Sequence, residues 1–139
     1  GSTGMKLYLS GPMSGIENFN FAAFASAAEY LRGKGYYVVS PAEADEEDGG
    51  VVDGKATMSW GDYIRRDIQL LLDVDGVVTL PGWRNSRGAR LETYVARELG
   101  MPHYHLIPNS IKEWDMVLLS PPDDTVRAIP SVDVAISDL

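Results

Sequence analysis

The stretch from Asp75 to Gly100, DGVVTLPGWRNSRGARLETYVARELG, constrains the fold more than any other part of the chain. Gly76 to Leu80 (GVVTL) is short, β-branched and apolar throughout, which suits a strand buried on both faces of a parallel sheet. Pro81 and Gly82 end it. From Ala89 onward Leu91, Val95 and Leu99 recur at helical spacing, and Gly100 followed by Pro102 supplies the stop. The order strand, turn, helix implies an α/β protein. In open α/β sheets ligands sit beyond the carboxyl ends of the strands, so the turn from Pro81 to Gly88 is expected at the mouth of a site.

Glu92 falls within the first two turns of that helix, whether Asn85 or Ser86 is the N-cap. Helical side chains lean toward the N-terminus, so its carboxylate should point at the mouth. The helix N-terminal field and the cations Arg84, Arg87 and Arg90 favour its ionised form, and an ionised, oriented carboxylate can act as a nucleophile. The alternative is a glutamate that only complements the helix dipole.

The 139 residues fit one domain, and GSTG ahead of Met5 (residues 1–4) reads as a cloning scar. No run approaches membrane-spanning length, and no charged-then-apolar leader precedes the first strand, so a cytoplasmic protein with no membrane partner is expected. The chain has no cysteine, which excludes disulfides, thiol nucleophiles and thiolate metal sites. A net charge of −8 argues against a nucleic-acid partner. Against that background the arginines at 84, 87 and 90 form a local positive site suited to a small anion.

Lys6 to Ser10 (KLYLS) reads as the first strand and runs into Gly11-Pro12-Met13-Ser14-Gly15, a turn where a sugar or phosphate can approach the backbone closely. GPMSG matches neither GxGxxG nor the P-loop pattern, so an ordinary βα turn is the alternative. Asn20 is the expected cap of a helix whose apolar face is Phe21, Phe24, Ala25, Ala28 and Leu31, closed by Gly33 and Gly35. Tyr36 to Val39 is the second strand, and with the first it makes a βαβ unit.

Ala42 to Met58 is polar and acidic, and is expected to be a solvated or lid-like loop; its Asp45 to Asp48 run lacks the spacing of a calcium loop. Ser59 and Asp62 start the next helix, with Tyr63 or Ile64, Ile68, Leu71 and Leu72 on its apolar face. Asp67 lies at the edge of that face, where burial would let it hold a proton near neutrality; a surface pair with a basic neighbour is the bland alternative. His103 to Ile107 is a fourth strand with His103 and His105 on one side, read as strand residues rather than metal ligands because no third ligand follows. A short helical segment is expected around Ile111 to Met116. Beyond it the Val132, Val134 and Ile136 alternation suggests an extended arm or edge strand. These elements together predict a Rossmann/flavodoxin-like three-layer sandwich around a mainly parallel sheet of four to five strands.

YLSGPMSG, RRDIQLLLDVDGVV and SRGARLE, in that order, resemble the nucleoside 2-deoxyribosyltransferase superfamily, which includes nucleoside transferases and N-hydrolases of nucleoside 5′-monophosphates. The resemblance covers roughly Lys6 to Ile107, is nearest to small bacterial and phage-borne members, and implies a transferase-like domain over residues 5–118 with a tail over 119–139. It implies that Glu92 forms a covalent ester with the sugar's anomeric carbon and that Asp67 handles the proton of the departing base. Tyr8 matches an aromatic residue beside the nucleophile, and Gly11 the glycine of the first turn. Ser86 stands where the monophosphate hydrolases hold a phosphate, whereas Pro12 is the residue found in the transferases. Family members are commonly homo-oligomers whose sites a neighbour completes.

The chemistry also suits the residues themselves. Breaking an N-glycosidic bond develops oxocarbenium character that a carboxylate can trap, while the leaving base takes a proton from a carboxylic acid of raised pKa. An ionised Glu92 and a protonated Asp67 are the expected pair, with no metal or organic cofactor required. Ser14, Ser86, Arg87, Gly88 and Arg90 are the candidates for a 5′-phosphate site, Arg90 being the better bidentate partner. Two readings from other classes compete: a non-catalytic nucleotide-binding or regulatory module on the same scaffold, and an interaction protein whose tail adds to a partner's sheet.

Overall fold

In a computed structural model of the chain, residues 4–123 are described. Their order is β1 (Lys6–Ser10), a 3-10 turn at Glu17–Asn20, α1 (Phe21–Gly33), β2 (Tyr37–Val39), α2 (Pro41–Glu47), β3 (Val51–Val52) and β4 (Lys55–Ala56). Then come α3 (Trp60–Leu72), β5 (Gly76–Thr79), a 3-10 turn at Trp83–Asn85, α4 (Arg87–Glu98), β6 (His103–Pro108) and β7 (Trp114–Ser120).

The main sheet runs β2-β1-β5-β6-β7, with the first four strands parallel and β7 antiparallel to β6. This is the expected Rossmann/flavodoxin-like sandwich with a mainly parallel sheet. Its layers follow from strand alternation. Leu7 and Leu9 of β1, with Val78 and Leu106, pack on Phe24, Ala27, Ala28 and Leu31 of α1. Tyr8 and Val77 face the other way, onto Leu71 of α3 and Ala96 of α4. All four residues of β5 are buried, as its sequence requires.

Several local expectations are corrected. Asn20 does not cap α1 with its side chain; it has φ 63 and its Nδ2 donates to Pro12 O at 2.9 Å. On α1 it is Ala27, not Ala25, that joins Phe24, Ala28 and Leu31 inside. The 42–58 stretch is not a loop. Pro41 begins α2, where its missing N–H costs nothing, and β3 and β4 form a hairpin closed by Asp53-Gly54, both with positive φ (53 and 75).

The helical segment expected around Ile111 to Met116 is instead the end of a turn and the start of β7. The Asn109 side chain accepts from the backbone N–H of Ile111 and Glu113 at 3.2 and 3.0 Å, and Lys112 has φ 62, so the chain reverses there. Alternating Trp114 and Met116 then pack on the α1 side of the sheet, beside Leu106. β7 runs to Ser120, past the domain boundary expected at residue 118, and Asp123 N donates to Gly100 O at 2.9 Å. The Val132, Val134 and Ile136 alternation lies outside the described residues. Among the described residues no helix is long and apolar enough to cross a membrane.

Phe24 is fully buried between α1 and the sheet. Phe24→Ala should cost about 3–5 kcal/mol, read as a lower denaturant midpoint with an unchanged slope.

Candidate active site

The site is built where the two central strands end. Tyr8 and Ser10 are two apart on β1, so both side chains face the α3 and α4 layer. Opposite them stands Glu92, 4% exposed, in the second turn of α4. The Tyr8 hydroxyl donates to Glu92 Oε2 in a short hydrogen bond, and Ser10 Oγ donates to Oε1 at 2.8 Å. Ser86, not Asn85, is the N-cap of α4, its Oγ accepting from Ala89 N at 3.2 Å. Ser59 caps α3 in the same way, accepting from Asp62 N at 3.1 Å.

Asp67, 8% exposed, comes from α3. Arg66 Nε and Nη2 donate to its Oδ1 at 3.1 and 2.8 Å, and Nη2 lies 2.6 Å from Asp45 Oδ1 of α2. The bland expectation of a surface pair therefore gives way to a largely buried cluster. Glu92 and Asp67 line one cavity, with Gly11, Ser14, Trp60 and Ser86 among its walls. Its volume is about 120 Å³ and its mouth opens to solvent.

Burial decides the protonation. It pushes Glu92 up to about 8, helped by the charge of Asp67 and opposed by the hydrogen bonds from Tyr8 and Ser10. Asp67 is raised to about 6, again by burial first, with Arg66 pulling it down and Asp45 pushing it up. Tyr8 is raised by burial and by the nearby Glu92 and Asp67. Both carboxyls are thus raised toward neutrality, burial being the first cause for each, whereas the arginines of the turn were expected to hold Glu92 ionised. The physical reason is placement. The Arg87 guanidinium stacks 3.6 Å above the Trp60 ring, Arg84 lies 4.8 Å from the Trp83 ring, and the exposed Arg90 is outside the cavity wall.

Pro12, Ser14, Ser86, Arg87 and Gly88 line a groove that adjoins the cavity at the start of α4, whose first N–H groups have no intrahelical acceptor. Arg90 lies outside this groove as well. Gly11 ends β1 where a Cβ would stand 3.0 Å from Leu80 Cβ, so only glycine fits without displacing β5's exit. His103 Nε2 and His105 Nδ1 lie 2.9 and 2.8 Å from Thr79 Oγ1, and burial lowers both imidazoles, His103 to about 4.

Three residues of the site escaped sequence reasoning. Ser10 was signalled by its two-residue spacing from Tyr8. Asp45 was hidden inside an acidic run that looked solvated, and Arg66 gave no signal beyond its place beside Asp67.

Fold and site define an α/β protein of Rossmann/flavodoxin type with two buried acids over the carboxyl ends of its central strands. The chain belongs to the DUF4406 family, described as a domain of unknown function, whose profile matches residues 5–104. It is similar to the crystal structure of a conserved protein from Enterococcus faecalis V583, with 22% sequence identity and a TM-score of 0.54 over 78% of this chain. The match covers 66% of that structure's chain, just under two thirds of its length, and shows a shared fold. None of the curated proteins matches the chain.

Raising a carboxyl from 4.5 to about 8 makes folding take up a proton, so this group weakens the fold as pH rises between those values. Glu92→Gln removes that dependence. Denaturant unfolding should show the variant gaining on the wild type between pH 4.5 and pH 8, by at most about 4 kcal/mol. A difference that does not change with pH would mean that the buried carboxyl is already ionised.

Proposed function

We propose that the chain cleaves the N-glycosidic bond of a (deoxy)nucleoside or its 5′-monophosphate, passing the sugar through a Glu92 ester to water or to another base. One observation carries the reading: Glu92 and Asp67, from different helices, open on one cavity at the carboxyl ends of β1 and β5. The resemblance of its motifs to the nucleoside 2-deoxyribosyltransferases supports the same chemistry.

In the first step the Asp67 proton goes to the leaving nitrogen, the C1′–N bond breaks with its electron pair on the base, and a Glu92 oxygen bonds to C1′. In the second, water or an incoming base attacks C1′ and gives its proton to Asp67, and the Glu92 carboxylate departs. The reactive pair has the shared proton on Asp67 and Glu92 ionised. The hydroxyls of Tyr8 and Ser10 already donate to Glu92, so they stabilise its carboxylate when it forms.

A 5′-phosphate suits the groove at the start of α4, with Ser86, Ser14 and the N–H groups of the first turn as donors and Arg87 as the cation. Arg87 replaces Arg90 in that role because it lines the groove. No metal or organic cofactor enters these steps. The resemblance further implies a homo-oligomer.

The test is incubation with a panel of nucleosides and 5′-monophosphates, with and without a free acceptor base, and identification of the sugar product. Wild type should release base, and Glu92→Ala should reduce release by at least 10³-fold while remaining folded. Asp67→Asn should slow poor leaving bases most. Full turnover by Glu92→Ala removes the ester, and a nucleotide that binds tightly and is recovered unchanged from the wild type favours the non-catalytic module.

A further inference from the structure

We infer that Asp45 is a positioning residue for Asp67: it holds the Arg66 guanidinium so that only one oxygen of Asp67 is gripped and the other is left to the cavity. The consequence for catalysis rests on the glycosidic reading above; the geometry does not.

Arg66 stands between carboxylates from two elements. Its Nε and Nη2 both fall on Asp67 Oδ1, at 3.1 and 2.8 Å, which is not the two-oxygen fork that arginine makes with an unshared carboxylate. The same Nη2 is 2.6 Å from Asp45 Oδ1, a carboxylate 4% exposed. The pair is a buried contact in which Arg66 lowers the Asp45 carboxyl against the effect of its burial, and Arg66 Nη1 has no aligned hydrogen bond. Nη1 is 3.8 Å from Asp48 Oδ2, and the guanidinium lies 5.6 Å from the Tyr63 ring centre.

The backbone closes over this contact. Gly50 N donates to Asp45 O at 2.9 Å, and the Tyr63 hydroxyl donates to Gly50 O. A Cβ on Gly50 would stand 3.2 Å from both Asp45 Oδ1 and Tyr63 Cε1, so the hairpin can approach this near only with glycine there. The 42–58 segment thus delivers a buried negative charge to the far side of Arg66.

The groups that act on Asp67 are Arg66 from its own helix, Asp45 from α2 and, across the cavity, Glu92 from α4 and Tyr8 from β1. Arg66 favours the ionised form, and Asp45 both opposes it directly and draws the cation away. Without Asp45 the whole charge of Arg66 falls on Asp67, both oxygens become available to the fork, and the acid gives up its proton at lower pH.

The experiment is a carboxyl ¹³C NMR titration of Asp67 in the wild type and in Asp45→Asn, assigned with Asp67→Asn, alongside the pH profile of kcat/KM for base release. The Asp67 midpoint should fall by one pH unit or more in Asp45→Asn, a tenfold or larger change in its ionisation constant. The limb of the profile that Asp67 governs should move down with it. An unmoved midpoint in folded Asp45→Asn overturns the inference. Should that variant fail to fold, Arg66→Gln and Arg66→Gln/Asp45→Asn are compared: with the cation gone, losing Asp45 should leave the midpoint nearly unchanged, and a shift of a full unit overturns the role through Arg66. Absence of base release from every substrate sinks the glycosidic reading alone, since the titration needs no turnover.

Discussion

The structure turns on placing a carboxyl group, Glu92, almost wholly out of water. Burying an ionised carboxylate without a cation is prohibitive, and the usual escape is to keep the proton. Here the carboxyl meets two hydroxyls presented by alternate residues of β1, so its oxygens have partners while the nearest cation, Arg66, is committed to other acids. The same contacts tie α4 to β1, which is why the catalytic candidate is also a packing element.

The second acid is tuned differently. Asp67 sits beside an arginine that would ordinarily hold it ionised well below neutrality, yet the combination of burial and Asp45 leaves it near 6. One buried cation shared by two carboxylates is a balance, and the protein supplies the counterweight from a segment distant in sequence. Both acids therefore have pKa values raised toward neutrality, each by burial first, and they differ in the groups that oppose it.

The segment that delivers Asp45 is the part of the chain that composition described worst. Its acidic run and glycines suggested solvent exposure, whereas Pro41 starts a helix and Asp53-Gly54 closes a tight hairpin. The Asp-Gly signal was there to be read. The burial of Asp45 was not, because it depends on a cation more than twenty residues away. Likewise Ile111 to Met116 was expected to be helical, although His103 to Ile107 beside it was read as a strand: a short apolar run takes the form of whatever edge it can pair with.

By itself the sequence determined the layer order, since an apolar strand such as GVVTL needs cover on both faces and its flanking turns and helix periodicities say where the cover comes from. It also indicated that Glu92 points toward the strand ends and that Asp67 lies at the edge of an apolar helix face, because local spacing sets the direction of a side chain on its own element. Only the tertiary structure decided their charge. Protonation depends on what surrounds a group from every side, and Tyr8, Ser10, Arg66 and Asp45 reach these two acids from three elements whose approach no local pattern encodes.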